Sequence, residues 1–144
     1  RQMCIRDSYY DETHTATWPA QVVNYTAKTQ YIFRINKQVL DVNDDADLNK
    51  YVPQTERPIP FERMIYIADG LTDVPCMRLV KEYGGKSIAV YSSNNAVAKS
   101  LKDVGRVNYI AKADYSSGSE MEQIVQSILD HMKADEVLKK YEEK

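Results

Sequence analysis

The chain has 144 residues, 43% of them hydrophobic and 28% charged, with a formal net charge of −2. That suits one globular domain or a large piece of one. No basic field points to nucleic acid or an anionic membrane, and no apolar run approaches the length that crosses a bilayer. Cys4 and Cys76 stand far apart in no metal-ligand spacing, which fits a reducing, cytoplasmic setting better than a disulfide scaffold. The 11 tyrosines are scattered and read as half-buried surface packing.

Residues 1–8 show no periodicity that continues beyond Ser8, and they read as a non-native leader. Between residues 9 and 24, Thr13, Thr15, Thr17, Trp18, Val22 and Val23 favour strands, and Pro19 interrupts them. A hairpin or edge ribbon is therefore expected there. Over residues 28–39 the spacing turns helical, with Ile32, Ile35 and Val39 on one face and Tyr31 beside them. Residues 41–60 are polar and acidic, and read as a connecting excursion with a short helical turn rather than a linker.

Strand and helix alternate after Pro60. Residues 64–68 form a short apolar run, as expected for a strand buried on both faces of a parallel sheet. Cys76, Leu79, Val80 and Tyr83 make the stripe of an amphipathic helix, with Pro75 in its first turn and Gly84 and Gly85 at its stop. Residues 87–91 are the next strand. Val97, Leu101 and Val104 mark a helix closed by Gly105, and residues 107–110 a third strand. The last helix is predicted to open on a capping box of Ser117 and Glu120. Its stripe is Met121, Ile124, Val125, Ile128, Leu129 and Met132, and a charged helical tail fills residues 133–144. Short connections between such elements predict an α/β chain with a parallel, Rossmann-like sheet over residues 9–132.

In open α/β sheets, ligands bind at the carboxyl ends of strands. Just beyond residues 64–68 come Asp69, Gly70, Leu71, Thr72 and Asp73. Two carboxylates around a tight turn there suit Mg²⁺, which takes one or two carboxylates and fills its shell with water and phosphate oxygens. The plainer alternative makes Asp69 a turn residue and Asp73 a helix cap.

The run Tyr66-Ile67-Ala68-Asp69-Gly70-Leu71-Thr72-Asp73-Val74-Pro75 resembles the fourth motif of the haloacid dehalogenase-like (HAD) superfamily hydrolases, closest to the phosphoserine phosphatase-like branch. That motif is an apolar strand followed by G-D-G-x-x-D. The resemblance implies a HAD-like core, a three-layer Rossmann-like parallel sheet incomplete at its N-terminal side. It makes Asp69 the Mg²⁺ ligand and Asp73 its supporting carboxylate. Ala68 departs from the pattern where the family has its first glycine. Lys28, at the start of a helix after the ribbon, matches the family's third motif, whose ammonium offsets charge on the nucleophile and the phosphoryl group. Its distance along the chain from Asp69 is longer than usual for the branch, and residues 41–60 account for the excess.

The family's first motif, D-x-D-x-T or -V, supplies the attacking aspartate and the general acid and base. It does not occur here: Asp45-Ala46-Asp47 is followed by Leu48 and Asn49, and no strand-like run precedes it. The first and second motifs are expected upstream of Tyr9. The resemblance thus implies a Mg²⁺-dependent phosphomonoester hydrolase working through an aspartyl-phosphate on a small phosphorylated metabolite, present here as an inactive C-terminal fragment. A non-catalytic metal- or nucleotide-binding module and a dehalogenase on the same scaffold are the rival readings. His14 and His131 are expected at the surface, Asn94 or Asn95 as a helix cap, and Cys76 as a buried small hydrophobe. In the family the first-motif strand lies beside residues 64–68, so its absence would leave that edge of the sheet unpaired.

Overall fold

A computed structural model describes residues 4–24 and 26–142. Its strands and helices are β1 (Cys4–Tyr10), β2 (Ala16–Val23), α1 (Lys28–Lys37), α2 (Asp45–Asn49), β3 (Ile65–Ala68), α3 (Val74–Glu82), β4 (Lys86–Tyr91), α4 (Ala96–Asp103), β5 (Tyr109–Lys112) and α5 (Glu120–Glu142). Single 3-10 turns lie at Gln54–Glu56, Phe61–Arg63 and Leu71–Asp73.

The alternation after Pro60 produces the expected α/β arrangement. β3, β4 and β5 pair in parallel in that order, with Ile67 opposite Ile88 and Ala89 opposite Ile110. β4 is central and its apolar residues point to both faces. Ala89 packs with Val74 and Met77 of α3, Ala98 and Leu101 of α4, and Val107. Ile88 and Val90 pack on the other face, with Ala111 of β5 and with Met121 and Ile128 of α5. A strand covered on both sides reads as a continuous hydrophobic run, and β4 does.

β3 corrects one expectation. It is an edge strand, half-buried rather than covered on both faces, with Ile67 39% exposed. α5 seats over Ile88, Val90 and Ala111, and leaves the far end of β3 uncovered on that face. Among the described residues no strand pairs with its other side.

The helical stripes are displaced in detail. On α1 the buried positions are Ile32, Arg34 and Asn36, while Ile35 is exposed. On α4 Ala98 and Leu101 face the sheet and Val97 and Val104 face solvent. On α3 Met77 is wholly buried beside Cys76 and Val80, and Tyr83 lies at the rim against the Phe61 ring, 5.0 Å between centroids. β5 begins at Tyr109 rather than at Val107, which is buried as a hydrophobic plug ahead of the paired segment.

The cap of α5 is Ser119, not Ser117. Its Oγ accepts the Glu122 N–H at 3.2 Å, and the Glu122 carboxylate reaches back to the Gly118 N–H at 2.5 Å. This is the reciprocal logic of a capping box, two residues later than predicted. The helix then runs unbroken to Glu142, so residues 133–142 continue it rather than forming a separate tail. Val137, Leu138 and Tyr141 stand exposed on it.

The excursion over residues 41–60 is held by side chains of α1. The buried Arg34 guanidinium donates to the carbonyls of Asp41 (2.6 Å), Val42 (3.0 Å) and Asp44 (3.1 Å), and to the Asp45 carboxylate (2.8 Å). Asn36 Nδ2 donates to the Ile59 carbonyl at 2.7 Å, and its Oδ1 accepts from Arg57 at 3.0 Å. Lys37 Nζ donates to the carbonyls of Leu48 and Lys50. The expected short helical turn is α2, capped by Asp44 on the Asp47 N–H. The excursion returns through Phe61, which packs in a third cluster with Ile32, Cys76 and Val80.

The expected ribbon is present as β1 and β2, antiparallel, with Tyr9 opposite Trp18 and Ser8 opposite Pro19. Its first strand begins at Cys4, so part of the segment that reads as a leader is drawn into backbone pairing; residues 1–3 lie outside the described residues. The turn at its tip is organised by Asp11 Oδ1, which accepts from the N–H groups of Thr13 and Thr15. Between α3 and β4, Gly85 is a close-approach glycine: a Cβ there would stand 2.5 Å from the Phe61 carbonyl oxygen and from Val80 Cγ1.

A candidate anion and metal site at the carboxyl end of β3

α1 owes its position to the residues before it. Asn24 Oδ1 accepts the N–H groups of Thr26 (3.1 Å) and Ala27 (2.9 Å) and the Thr26 hydroxyl (2.6 Å), an Asx turn that aims the chain into the helix. Lys28 is the first residue of α1. On the other side, β3 ends at Ala68 and the chain turns through Asp69 and Gly70 into the 3-10 turn at Leu71–Asp73. Ala68 causes no conflict in this bend. Positive φ among the described residues occurs at His14, Gln38, Gly84, Gly105 and Gly118 only, so a methyl group at position 68 meets no left-handed backbone.

Asp73 precedes α3, yet its side chain makes no capping bond to that helix. Its Oδ1 instead accepts from Lys28 Nζ at 2.8 Å, across 45 residues of sequence, and from the Tyr66 hydroxyl, also at 2.8 Å. The two charged side chains are 21% and 11% exposed, so the pair is well sheltered without being sealed. Thr72 Oγ1 lies 3.5 Å from the same ammonium. Asp73 Oδ2 points back to the turn, 3.2 Å from where a Gly70 Cβ would stand.

Sequence reasoning misses Tyr66, which reads as one more apolar strand residue. The signal is nonetheless there: a tyrosine in an apolar, half-buried strand has a hydroxyl that must find a partner. Burial first, and then donation to the Asp73 carboxylate, push the phenol above the ordinary tyrosine range, so it stays protonated as a donor. Burial likewise raises the Cys76 thiol, which lies beside Tyr66 as an inert core group.

Asp69 is exposed at the end of β3, and among the described residues its carboxylate has no hydrogen bond or ion pair. A hard oxygen ligand in that condition fits Mg²⁺, which needs few protein ligands. The described residues gather no three His, Cys, Asp or Glu side chains that would hold a metal between them. Asp69 is thus a lone candidate ligand among the described residues, with Asp73 behind it committed to Lys28 and Tyr66.

A hollow of about 420 Å³ opens beside the site along the unpaired side of β3, bordered by Lys28, Ile32, Ile59, Met64, Ile65 and Tyr66. A larger one, about 610 Å³, lies by Lys86 and Tyr109, which begin β4 and β5. It is at the amino end of the sheet and away from these groups.

The remaining sequence candidates fall elsewhere. Asn95 stands at the cap position of α4 but makes no side-chain capping bond; Asn94 Oδ1 accepts the Ala96 N–H at 2.9 Å, an Asx turn leading into the helix. His131 pairs with Asp135 one turn along α5 at the surface, and His14 sits in the exposed ribbon turn. Asp114, which the sequence does not single out, closes a local turn on Ser116, and those bonds lower its carboxyl below the usual range.

Among the described residues no helix is long and apolar enough to cross a membrane. No protein-family model matches this chain, and no solved structure matches it. A curated protein of Borreliella burgdorferi, described only as an uncharacterized protein, is 32% identical over 120 residues. The match takes in 81% of this chain and 40% of that protein, so the chain spans well under half of the relative's length.

Proposed function

We propose that this chain carries the metal-and-lysine side of the active site of a Mg²⁺-dependent phosphomonoester hydrolase of the haloacid dehalogenase-like type. The observation that carries the reading is the meeting of Lys28 and Asp73 at 2.8 Å beyond the carboxyl end of β3. A mere helix cap would have turned Asp73 onto the N–H groups of α3, and it does not. A carboxylate that spends itself holding a lysine at the mouth of a parallel sheet fixes the position of an ammonium where ligands bind.

In this reading Lys28 offsets the charge of a phosphate dianion and of the carboxylate that attacks it. Asp73 orients Lys28, and Asp69 holds the metal. Bound there, Mg²⁺ would polarise the phosphoryl oxygens and fix the substrate's orientation. The attacking aspartate and the general acid and base belong to a strand outside residues 1–144, paired along the open side of β3, where the apolar hollow lies. The sheet completed in that way is the three-layer Rossmann-like core. A small phosphorylated metabolite is the substrate class, and the buried thiol of Cys76 goes with a reducing, cytoplasmic setting.

The test uses the complete gene product. It should hydrolyse p-nitrophenyl phosphate with Mg²⁺ and stop on chelation. Asp69→Asn and Lys28→Ala should each lower the rate on the order of a hundredfold. No Mg²⁺-dependent hydrolysis by the unaltered protein, or full activity in Asp69→Asn, would remove the proposal.

A further inference from the structure

Two donors meet on one oxygen at this site. Lys28 Nζ and the Tyr66 hydroxyl each lie 2.8 Å from Asp73 Oδ1, and Oδ2 is turned away toward Gly70. The two arrive on very different supports. Tyr66 stands on β3, fixed by that strand's pairing with β4, whereas Lys28 reaches in from the first turn of α1 on a flexible stem. A carboxylate oxygen has a limited capacity to be shared: each donor it accepts withdraws charge from it and weakens its hold on the other.

We propose that Tyr66 is a positioning residue that sets how tightly Asp73 holds Lys28, and so how much of the ammonium's charge is left to an oxyanion ligand. A lysine paired with a carboxylate on its own is a neutralised pair and a poor anion receptor. Sharing that carboxylate with a neutral hydroxyl loosens the pair and leaves more of the ammonium's field to be felt at its exposed end. Which oxyanion is drawn rests on the phosphohydrolase reading above; the sharing itself does not.

The phenol suits this duty because it stays protonated and toward a carboxylate can only donate. The charged and titratable groups around Lys28 include Asp73 and Cys76 from the α3 side, Tyr66 from β3, Tyr31 on its own helix, and Arg63 across the hollow. Arg63 is engaged with Glu136 at 3.4 Å.

The experiment is competitive amine labelling of the complete gene product at fixed pH, with Lys28 read by mass spectrometry against surface lysines such as Lys99. Asp73→Asn removes the anionic partner and should speed labelling of Lys28 several-fold. Tyr66→Phe leaves Asp73 with Lys28 as its main donor and should slow it about two- to threefold, while labelling of Lys99 is unchanged. Inorganic phosphate should protect Lys28 in the unaltered protein and protect it less in Tyr66→Phe. If Tyr66→Phe leaves Lys28 labelling unchanged or speeds it, Tyr66 only fills space and the proposal is wrong. If Asp73→Asn has no effect on Lys28, the ion pair itself is absent and the proposal falls with it. A protein with no phosphatase activity that still gives the expected labelling pattern would refute the enzyme reading and leave this inference standing.

Discussion

The excursion over residues 41–60 and the β3–β4–β5 unit are both ordered, but by opposite means. The sheet unit is held by apolar side chains that meet from both faces of β4: Val74, Met77, Ala89, Ala98 and Leu101 on one side, Ile88, Val90, Met121 and Ile128 on the other. The excursion brings Leu48 and Phe61 to the body, and is otherwise tied down by three polar side chains of α1 acting on its carbonyls. The first kind of order is cooperative, since removing any part exposes the rest. The second is local, because freed carbonyls can turn to water at modest cost. One molecule thus contains a rigid platform and a clamped loop that should open separately.

The sharpest break in that comparison is Ile88→Ala at the centre of β4. A wholly buried isoleucine truncated in a tight core should cost about 4 kcal/mol, felt by β3, β4 and β5 together. Hydrogen exchange should then accelerate across β3, β4 and β5 by a similar factor; acceleration confined to one element would contradict a cooperative sheet. Arg34→Ala comes next, at about 3 kcal/mol or less. It should produce protease cleavage within residues 41–60 while the β4 amides keep their protection. Loss of β4 protection in step with the cleavage would show the loop to be part of the platform. Smallest is Ser119→Ala, which should cost about 1 kcal/mol and quicken exchange only in the first turn of α5, with Ser117→Ala silent. The reverse pattern would restore the cap to Ser117.

The same division governs what can be read from sequence. The parallel sheet is legible because its strands are uninterrupted apolar runs and its helices have apolar stripes. The faces are less so. Val97 and Val104 outweigh Ala98 on any hydrophobic scale, yet a small residue lets α4 approach β4 closely, and Ala98 is the one buried. Arg34 and Asn36 are illegible for a related reason. Buried polar residues are recognised by their partners, and those partners are backbone carbonyls and two charged side chains from 7 to 23 residues away. At the candidate site, Asp73 and Lys28 can be named from motif and placement, and the structure brings them to 2.8 Å. The third member, Tyr66, lies hidden inside a run that looks like core.

Gly85 has a further consequence for how this chain can vary. Gly84, at φ +94°, demands a conformation that asparagine can also adopt. Gly85 demands something no other residue has, since any Cβ would collide with the Phe61 carbonyl and Val80 Cγ1. These two neighbours would therefore look alike in an alignment but differ in a saturation library: position 84 should yield a few survivors, and position 85 none. The Phe61 carbonyl belongs to the returning end of the excursion. The empty volume at Gly85 is thus the gauge that sets how far the clamped loop can stand from the platform, and a single methyl group is enough to exceed it.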